Sequence, residues 1–365
     1  MKVRQLSTVH AVGDTRVLHK ECKSLLAAGY DVALIASHPY DEVVETVPVL
    51  GIGTARNRLW RMTVSAWRLL RRALAEDADI YHFHDPELIG VGLVLRLRGK
   101  RVVYDVHEDV PKQIMNKFWI AAPFKLPLAV AAGLAERLAG VALSGIVTAT
   151  GSIAERFPPR KTVVVQNFPE AELAEQVNPK PFQERRNAFV YVGGLSEQQG
   201  LFEMLDAFTR LPDGLSGVLA GTFKQREPEA RAHPGWSRVR YPGVVGRGEV
   251  VAALRDAVCG LVLDHPITNY VEAYSTKMFE YLACGIPVIC SNFPLWTELV
   301  QRYQCGVALD PFNTEQVARW IVRYHEDPDL ARTHGENGRR AIAEHLNWQV
   351  EFAKLRGLYE RIAPR

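Results

Sequence analysis

The sequence predicts an α/β protein of two domains, each built around a parallel sheet. With 365 residues, the chain is longer than one ordinary hydrophobic core requires. Short apolar runs with strand character alternate with helical segments in both halves, which is the order typical of parallel sheets. A polar, charged and proline-containing stretch at 169–187 lies between the halves and has the composition of an interdomain linker.

The composition indicates an ordinary globular protein. Apolar residues make up 47% and charged residues 23%, and the formal charge of +3 is too small to indicate nucleic-acid binding. The cysteines have no C-x-x-C spacing, which argues against a zinc site and a disulfide framework, so we expect a cytoplasmic protein. Residues 1–6 predict a strand rather than a signal peptide, and no apolar run approaches the roughly 20 residues that span a bilayer.

The first half opens with a βαβ unit, predicted as a strand at 3–9, a helix at 16–28 and a strand at 30–37. The turn after the first strand lacks G-x-G-x-x-G, so it is not a dinucleotide fingerprint. Gly13 still allows close approach of the backbone to a ligand. Arg16 is a candidate phosphate or acceptor contact, and a solvated first-turn arginine is an equal alternative.

Two later strands of the first half, at 80–86 and 101–109, carry histidine and acid at their carboxyl ends. His84 and Asp85 belong to one, and His107 and Glu108 to the other. Open α/β sheets bind ligands at this edge, so we expect these side chains to share a cleft. The alternative is a metal site, but the spacing is unlike H-E-x-x-H, and we expect no metal.

Two segments of the first half could meet a membrane surface. A predicted helix at 57–75 mixes tryptophan and leucine with a run of arginines, and the segment 115–130 places Phe118, Trp119, Phe124 and Leu126 beside lysines. Each basic residue near an anionic surface contributes about 1 kcal/mol. The alternative for the helix is a solvated cationic face. The arginines of this first segment are Arg56, Arg58, Arg61, Arg68, Arg71 and Arg72.

The second half opens with a strand that ends at Gly193 and Gly194, where paired glycines let backbone N–H groups approach phosphate. A strand at 216–220 precedes Lys224 and Arg226, and a short strand at 238–245 contains Val244. The last strand is predicted at 306–309, followed by helices at 314–325, 328–345 and 348–362.

The stretch from 261 to 290 carries the strongest functional signal. A short apolar strand leads into a polar loop, Ser275 or Thr276 can cap a helix that runs from about 277 to 284, and a new strand follows. Glu272 and Glu280 therefore flank a helix N-terminus. The N–H groups there suit a diphosphate, and carboxylates accept hydrogen bonds from vicinal hydroxyls. This combination predicts a nucleotide-sugar site.

This stretch resembles the E-x7-E element of retaining glycosyltransferases of family 4. The Gly-x-Pro-Val-Ile segment at 285–289 and the Asn-Phe-Pro exit at 167–169 are similar to that family as well. The resemblance implies the GT-B fold, in which two Rossmann-like domains with parallel sheets face each other across a cleft. We expect an acceptor domain at 1–170, a nucleotide-sugar domain at 171–345, and a C-terminal helix at 346–365 that crosses back to pack on the first domain.

The resemblance also implies residue roles. Glu280 would accept hydrogen bonds from the ribose and Glu272 from the donor sugar, while His107 and Glu108 border the reaction centre, with His84 and Asp85 nearby. The remaining donor contacts would come from backbone groups of Gly193, Gly194, Tyr274, Ser275, Thr276, Val244 and Gly13. The arginine and lysine that clamp the diphosphate in the family fall at Gly194 and Gln199, where this chain has no charge. Candidate substitutes are Lys277, Lys224 and Arg226.

The expected activity is retaining transfer of a sugar from a nucleotide-diphosphate sugar, with UDP favoured, to a hydroxyl of a glycan or lipid-linked acceptor in surface-polysaccharide or glycoconjugate assembly. We expect no metal or other cofactor, no nucleic-acid partner, and a place in the cytoplasm with peripheral contact to the inner face of an anionic membrane. Two alternatives stay open: a nucleotide-sugar 2-epimerase of the same fold, and a non-catalytic sugar-binding protein.

Overall fold

The computed structural model describes residues 1–116, 120–172 and 180–363. Two compact units divide the chain: the first comprises Met1–Asn167 with Val350–Arg365, and the second comprises Phe168–Gln349. Lys117, Phe118 and Trp119, which belong to the second predicted membrane segment, lie outside the described residues.

The first unit contains an eight-stranded sheet with the order β3-β4-β2-β1-β5-β6-β7-β8. Neighbouring strands pair in parallel, as predicted, except β3 and β4, which are antiparallel. The strands are β1 Lys2–Ser7, β2 Asp31–Ala36, β3 Glu42–Val44, β4 Val47–Gly51, β5 Ile80–Phe83, β6 Arg101–Val106, β7 Gly145–Thr148 and β8 Thr162–Val164.

The β3–β4 hairpin is an element that the sequence analysis missed. Its two-residue turn consists of Glu45 and Thr46, with φ of 45° and 79°. Positive φ at both positions matches the twist of a tight hairpin, but Asn and Gly are the residues that usually adopt it. Because Glu and Thr give no such turn signal, the hairpin cannot be recognised from local sequence.

Helices pack on the sheet of the first unit, in which every residue of β5 and of β7 is buried. Thr150 caps the helix after β7, since its hydroxyl oxygen accepts a hydrogen bond from the backbone N–H of Ile153 at 3.3 Å. The helices are Thr15–Cys22, Lys23–Ala27, Arg58–Trp60, Arg61–Ser65, Ala66–Glu76, Pro86–Leu88, Ile89–Leu97, Val110–Asn116, Ala122–Ala142 and Gly151–Ala154.

The C-terminal helix, Trp348–Ile362, packs on the first unit from Val350 onward, which confirms the predicted return of the chain. Leu358 lies against Gly145 of β7, and the hydroxyl of Tyr359 lies 2.7 Å from Nδ1 of His82 in β5. Both side chains are buried. The helix therefore contacts β7 and also β5, the strand that is followed by His84 and Asp85.

The second unit contains a six-stranded parallel sheet with the order β11-β10-β9-β12-β13-β14. Every residue of β12 is buried, as expected for a strand covered on both faces. The strands are β9 Asn187–Val192, β10 Gly217–Ala220, β11 Val239–Arg240, β12 Ala257–Val262, β13 Val288–Ser291 and β14 Gly306–Leu309. The helices are Phe182–Glu184, Glu197–Gln199, Leu201–Phe208, Glu227–Ala232, Pro234–Arg238, Arg247–Arg255, Thr268–Val271, Thr276–Ala283, Pro294–Tyr303, Thr314–Glu326 and Pro328–Glu344.

Strand β11 is much shorter than the predicted strand at 238–245. Pro242 has no N–H to donate to a ladder, and Gly243 adopts a φ of +83°, so the strand cannot continue. Residues 241–246 form a loop instead. Together with the loops after β9, β10 and β12, this loop lies at the carboxyl ends of the strands.

Candidate active site

The loop after β12 and the helix Thr276–Ala283 lie where the sequence predicts them. The helix begins one residue earlier than expected, and its N-cap residue Ser275 makes no side-chain capping bond, although its carbonyl accepts from the N–H of Met278 at 3.1 Å. Gly285, with a φ of +64°, ends the helix. Glu272, before the helix, and Glu280, within it, are both half-buried.

A cavity of about 370 Å³ opens at the start of this helix. It brings together predicted residues from the loop after β9 and from the segment 274–277. The lining does not include Glu272, Glu280, Val244, Lys224 or Arg226, all of which the structure describes. The lining residues are Gly193, Gly194, Gln199, Asp264, Tyr270, Ala273, Tyr274, Ser275, Thr276, Lys277 and Trp296.

The loops after β9 and β10 touch through their backbones at Gly193 and Gly221. A Cβ on Gly221, whose φ is +137°, would lie 1.8 Å from the carbonyl oxygen of Gly193. Gly193 has a φ of +156°, and a Cβ there would lie 3.1 Å from Cδ of Lys277. Glycine at these positions therefore lets the two loops meet and lets the lysine side chain pass.

Lys277 is the buried cation of this cavity. Only 9% of the residue is exposed, and its Nζ donates to the hydroxyl of Tyr191 at 3.3 Å. With the Gln199 amide turned so that its oxygen faces the ammonium, that oxygen accepts from Nζ at 3.2 Å. Burial lowers the pKa of Lys277, while Asp264, 3.7 Å away, partly opposes this shift. The ammonium group thus lies beside Gln199, the position at which the family that this chain resembles has its lysine.

The two other candidate cations differ in their surroundings. The side chain of Lys224 is exposed, and its Cε lies 3.2 Å from where a Cβ on Gly194 would be. Arg226 forms an ion pair with Glu197 at 3.1 Å and stacks over the ring of Phe202 at 4.4 Å. Lys224 therefore lies next to the glycine loop, whereas Arg226 is engaged at the surface.

Trp296 is a site residue that sequence reasoning missed. It is fully buried, and its indole N–H donates to the carbonyl of Ala273 at 2.8 Å. The ring of Tyr274 packs on Phe279 at 5.4 Å. These contacts fix the loop that carries the predicted N–H donors. No motif marks Trp296, because it lies in the helix after the next strand.

The loops of Val244 and Gly13 lie near the surface. Val244, in the loop 241–246, is 74% exposed. Its side chain is therefore not part of the core, and the loop is open to a ligand. Gly13 is exposed as well, and no neighbouring atom would contact a Cβ built on it. The next residue, Asp14, caps the first helix by accepting from the N–H groups of Arg16 and Val17.

In the first unit, the structure brings His84, Asp85 and His107 together at the carboxyl ends of β5 and β6. Asp85 is buried and accepts hydrogen bonds from the hydroxyl of Ser7 at 3.0 Å and the N–H of Val9 at 3.1 Å. Nδ1 of His84 and Nε2 of His107 are 3.1 Å apart. Burial lowers the pKa of His107 to about 3, although the charge of Asp105 opposes this shift. Glu108, by contrast, is exposed.

Arg16 is placed in a buried ion cluster rather than at a ligand surface. Its guanidinium contacts Asp105 at 3.0 and 3.2 Å and Glu21 at 3.1 Å, and it donates to the carbonyl of Val165 at 2.9 Å. Burial and the neighbouring Asp105 raise the pKa of Glu21 well above its ordinary value. Burial would also raise the pKa of Asp105, but the charge of Arg16 beside it holds that pKa well below its usual range. Glu21 therefore holds its proton more tightly than an ordinary glutamate does, and Asp105 holds its proton less tightly than an ordinary aspartate does.

The same cluster contains the one group of potential metal ligands among the described residues: Glu21, His82, His84 and Asp105, with ligand atoms within 4.8 Å of one another. Arg16 already contacts both carboxylates. It supplies the positive charge that a divalent ion would bring, so we interpret the group as an ion cluster. Sequence analysis missed Glu21 and Asp105. Their signal is an acidic residue at an otherwise apolar, buried position.

The predicted arginine-rich helix uses several of its cations internally. Arg61 binds both carboxylate oxygens of Glu87, Arg72 pairs with Asp41, and Arg68 donates to the carbonyl of Ile52. Leu59 and Trp67 are 73% and 55% exposed. The helix Ala122–Ala142 also exposes an apolar face, formed by Phe124, Leu126, Leu128, Val130, Leu134, Leu138 and Val141. Among the described helices, none is long and apolar enough to span a bilayer.

Two family models match the chain. The model described as Glycosyltransferase Family 4 matches residues 13–168, and the model described as Glycosyl transferases group 1 matches residues 173–341. The chain belongs to glycosyltransferase family 4. This confirms the predicted family and the predicted enzyme class.

Known proteins resemble this glycosyltransferase along most of its length. Glycogen synthase of Mycobacterium tuberculosis is 23% identical over 375 residues, covering 92% of this chain and 87% of the relative. The structure of Anabaena Alr3699/HepE in complex with UDP has a TM-score of 0.73 at 15% identity and covers 99% of this chain and 100% of that one. Sucrose-phosphate synthase from Thermosynechococcus elongatus has a TM-score of 0.72 at 18% identity, with 99% and 98% covered. These similarities confirm the predicted GT-B fold.

Proposed function

We propose that this glycosyltransferase moves a sugar from a nucleotide-diphosphate sugar to a hydroxyl of a glycan or lipid-linked acceptor, with retention of anomeric configuration. The observation that carries the proposal is the cavity in which the Gly193–Gly194 loop, the N-terminus of the helix Thr276–Ala283 and Lys277 converge. Backbone N–H groups and a buried cation form a binding site for a diphosphate. The complex of Anabaena HepE with UDP supports UDP as the nucleotide.

The roles proposed for the donor-binding residues come from the family resemblance. The second unit binds the donor: Glu280 accepts hydrogen bonds from the ribose hydroxyls, Glu272 from the hydroxyls of the sugar, and the backbone at Val244 meets the base. The first unit binds the acceptor and contributes His107, with Glu108 beside it. Because its pKa lies at about 3, His107 is neutral at physiological pH and acts as a hydrogen-bonding group rather than as a cation.

Stabilisation of the leaving group is the main catalytic demand. The diphosphate gains negative charge as it leaves, while the sugar gains oxocarbenium character. Lys277 takes the place of the family's charged clamp, with Lys224 as a second contact beside Gly194. These cations and the helix N–H groups supply the stabilisation without a metal or other cofactor.

Binding measurements with substituted protein test the donor site. A panel of nucleotide sugars is screened for thermal stabilisation, because a ligand that binds only the native state raises its stability. We expect Glu280→Gln to lose that stabilisation and the transfer activity. Glu326→Gln, which changes an exposed acid in another helix of the same unit, should retain both. Unchanged turnover of Glu280→Gln would contradict the site assignment.

Incubation of the donor with and without an acceptor distinguishes transfer from the two alternative functions. A 2-epimerase would convert the sugar without an acceptor, whereas a transferase needs one. A non-catalytic sugar-binding protein, which the missing charges at Gly194 and Gln199 favour, would bind the donor and leave it unchanged even with acceptors present.

We also propose peripheral contact of the first unit with an anionic membrane at its cytoplasmic face. The exposed apolar side chains of the helix Ala122–Ala142 and of the segment 58–76 would enter the interface, and Arg71 lies over Trp67 at 5.0 Å. Because Arg61 and Arg68 bind within the protein, Trp67→Ser combined with Leu134→Ser is the better test. We expect this variant to lose flotation with phosphatidylserine vesicles. An Arg319→Ser control in the second unit should float like the original protein, and flotation of both would contradict the proposal.

A further inference from the structure

A chain of hydrogen-bonded side chains leads from the C-terminal helix to His107. Gln5, a buried polar residue of β1, lies between Tyr359 and His84. Its Nε2 donates to the hydroxyl oxygen of Tyr359 at 3.4 Å, and its Oε1 lies 2.7 Å from Nε2 of His84. Since an amide oxygen only accepts hydrogen bonds, Nε2 of His84 carries a proton.

His84, His107 and Asp105 form a close triangle at the other end of this chain. Nδ1 of His84 is 3.1 Å from Nε2 of His107, and Oδ2 of Asp105 is 3.3 Å from the first nitrogen and 3.4 Å from the second. Three unprotonated atoms at these distances would repel one another. Arg16 keeps Asp105 ionised, and the proton of His84 lies on Nε2, so the proton of the triangle belongs to Nε2 of His107.

Tyr359 determines which way round the Gln5 amide lies. The tyrosine oxygen lies 2.7 Å from Nδ1 of His82, and the same oxygen accepts from Nε2 of Gln5. The two residues that meet here are 354 positions apart in the sequence. Without this oxygen, the amide could turn, present its N–H to His84 and move the proton of His84 to Nδ1.

We propose that Gln5 and Tyr359 are positioning residues that act through His84 to hold His107 as the Nε2–H tautomer, leaving its Nδ1 as the hydrogen-bond acceptor. The role of that acceptor rests on the proposed function, in which His107 contributes to the reaction. Its tautomer does not, because the contacts that fix it all lie within the first unit.

Nuclear magnetic resonance of the full chain with ¹⁵N-labelled histidine tests the proposal. The nitrogen shifts and their couplings to ring protons distinguish the two tautomers and the doubly protonated ring. We expect Nε2–H for both His84 and His107 at pH 7, with signals assigned from His84→Gln and His107→Gln. Tyr359→Phe and Gln5→Met should each replace the single His107 tautomer by a mixture.

Tyr30→Phe is the matched control. Its ring lies 6.2 Å from that of Tyr359, it is also buried, and its hydroxyl has no hydrogen-bond partner among the described residues. This variant should keep the original spectrum. An Nδ1–H tautomer of His107 in the unsubstituted protein, a doubly protonated His84, or an unchanged spectrum in both Tyr359→Phe and Gln5→Met would overturn the proposal.

Kinetics provide a second readout that a purely structural role would not move. With the donor identified by the panel, kcat of Tyr359→Phe should fall about tenfold while KM for the donor and the affinity for UDP stay unchanged. An unchanged kcat together with a changed tautomer would overturn the positioning role. Failure of the proposed function gives a different result, because the original protein would then bind no UDP or transfer no sugar, whichever tautomer His107 has.

Discussion

Lys277 carries a charge at a position where burial disfavours one. Its ammonium has Tyr191, Gln199 and Asp264 as neighbours, and burial lowers its pKa. An arriving diphosphate would favour the charged form, because an anion close to an ammonium raises its pKa. A lysine with these surroundings stabilises the leaving group more strongly as the negative charge on the leaving group grows.

Substitution of this lysine tests its role. Lys277→Met keeps the apolar stem and removes the charge, so we expect UDP affinity to fall by about 2 kcal/mol, or roughly thirtyfold, and transfer to fall further. Calorimetric titration with UDP and donor turnover measure the two effects. Lys224→Met, which removes an exposed charge next to the same loop, should have the smaller effect. A larger effect of Lys224→Met would assign the clamp to that residue.

Glu21 gives the protein a dependence of stability on pH. Its folded pKa lies well above the ordinary 4.5 because it is buried beside Asp105, and the charge of Arg16 opposes this shift only in part. His82 and Tyr359 also face this carboxyl group. Above pH 4.5 the folded chain keeps a proton that the unfolded chain releases, so this group lowers the free energy of unfolding as pH rises.

Glu21→Gln removes this dependence. The free energy of unfolding of the variant, relative to the original protein, should rise by up to about 1.4 kcal/mol per pH unit above pH 4.5. Urea unfolding at pH 5, 6 and 7 measures the difference. A difference that stays constant or shrinks with rising pH would show that Glu21 is ionised in the folded protein.

At the residue scale, sequence predicts groups that belong to a local pattern and misses those that long-range packing brings in. Gly193, Thr276 and Lys277 lie next to strand ends or a helix start, and the cavity contains all three. Trp296 and Tyr359 act through contacts with distant segments, at Ala273 and at Gln5. Neither contact leaves a local trace in the sequence.

At the scale of elements, the glycine loops after β9 and β10 form the backbone framework of the donor site. Gly221 has a φ of +137°, and its missing side chain makes room for the carbonyl of Gly193. Gly214, with a φ of +91°, has no atom within 4 Å of a Cβ built on it. A side chain at Gly214 would therefore introduce backbone strain alone, whereas a side chain at Gly221 would introduce strain and also collide with the carbonyl group of Gly193.

We therefore expect Gly214→Ala to lower the free energy of unfolding by about 1–2 kcal/mol, the cost of a positive φ in a residue with a side chain. Gly221→Ala should cost more and should also weaken UDP binding, because the loop of Gly193 has to move. Urea unfolding and titration with UDP measure both effects. Equal losses of stability with unchanged UDP affinity would show that the contact does not shape the site.

The elements themselves follow from sequence where periodicity and breakers agree. The helix before Gly285 begins within one residue of its predicted start, because the polar loop and the glycine mark both ends. The hairpin at Glu45 and Thr46 and the early end of β11 depend on backbone conformations that the residue types only weakly specify.

At the scale of the whole molecule, alternating strands and helices predict the two α/β units, and the structure adds how the chain returns. The C-terminal helix joins the first unit and places Tyr359 next to Gln5 and His82. The last turns of the chain thereby complete a polar network that begins in the first strand. Shortening this helix would affect His107 as well as stability.

The crystal structure of the protein with bound UDP tests the central claim most directly. The account predicts ribose hydroxyls within hydrogen-bond distance of the Glu280 carboxylate. It also predicts a diphosphate at the N–H groups of Gly193, Gly194 and the start of the helix Thr276–Ala283, with Lys277 in contact with a phosphate oxygen. UDP bound in the first unit, or in the second unit away from this helix, would contradict it.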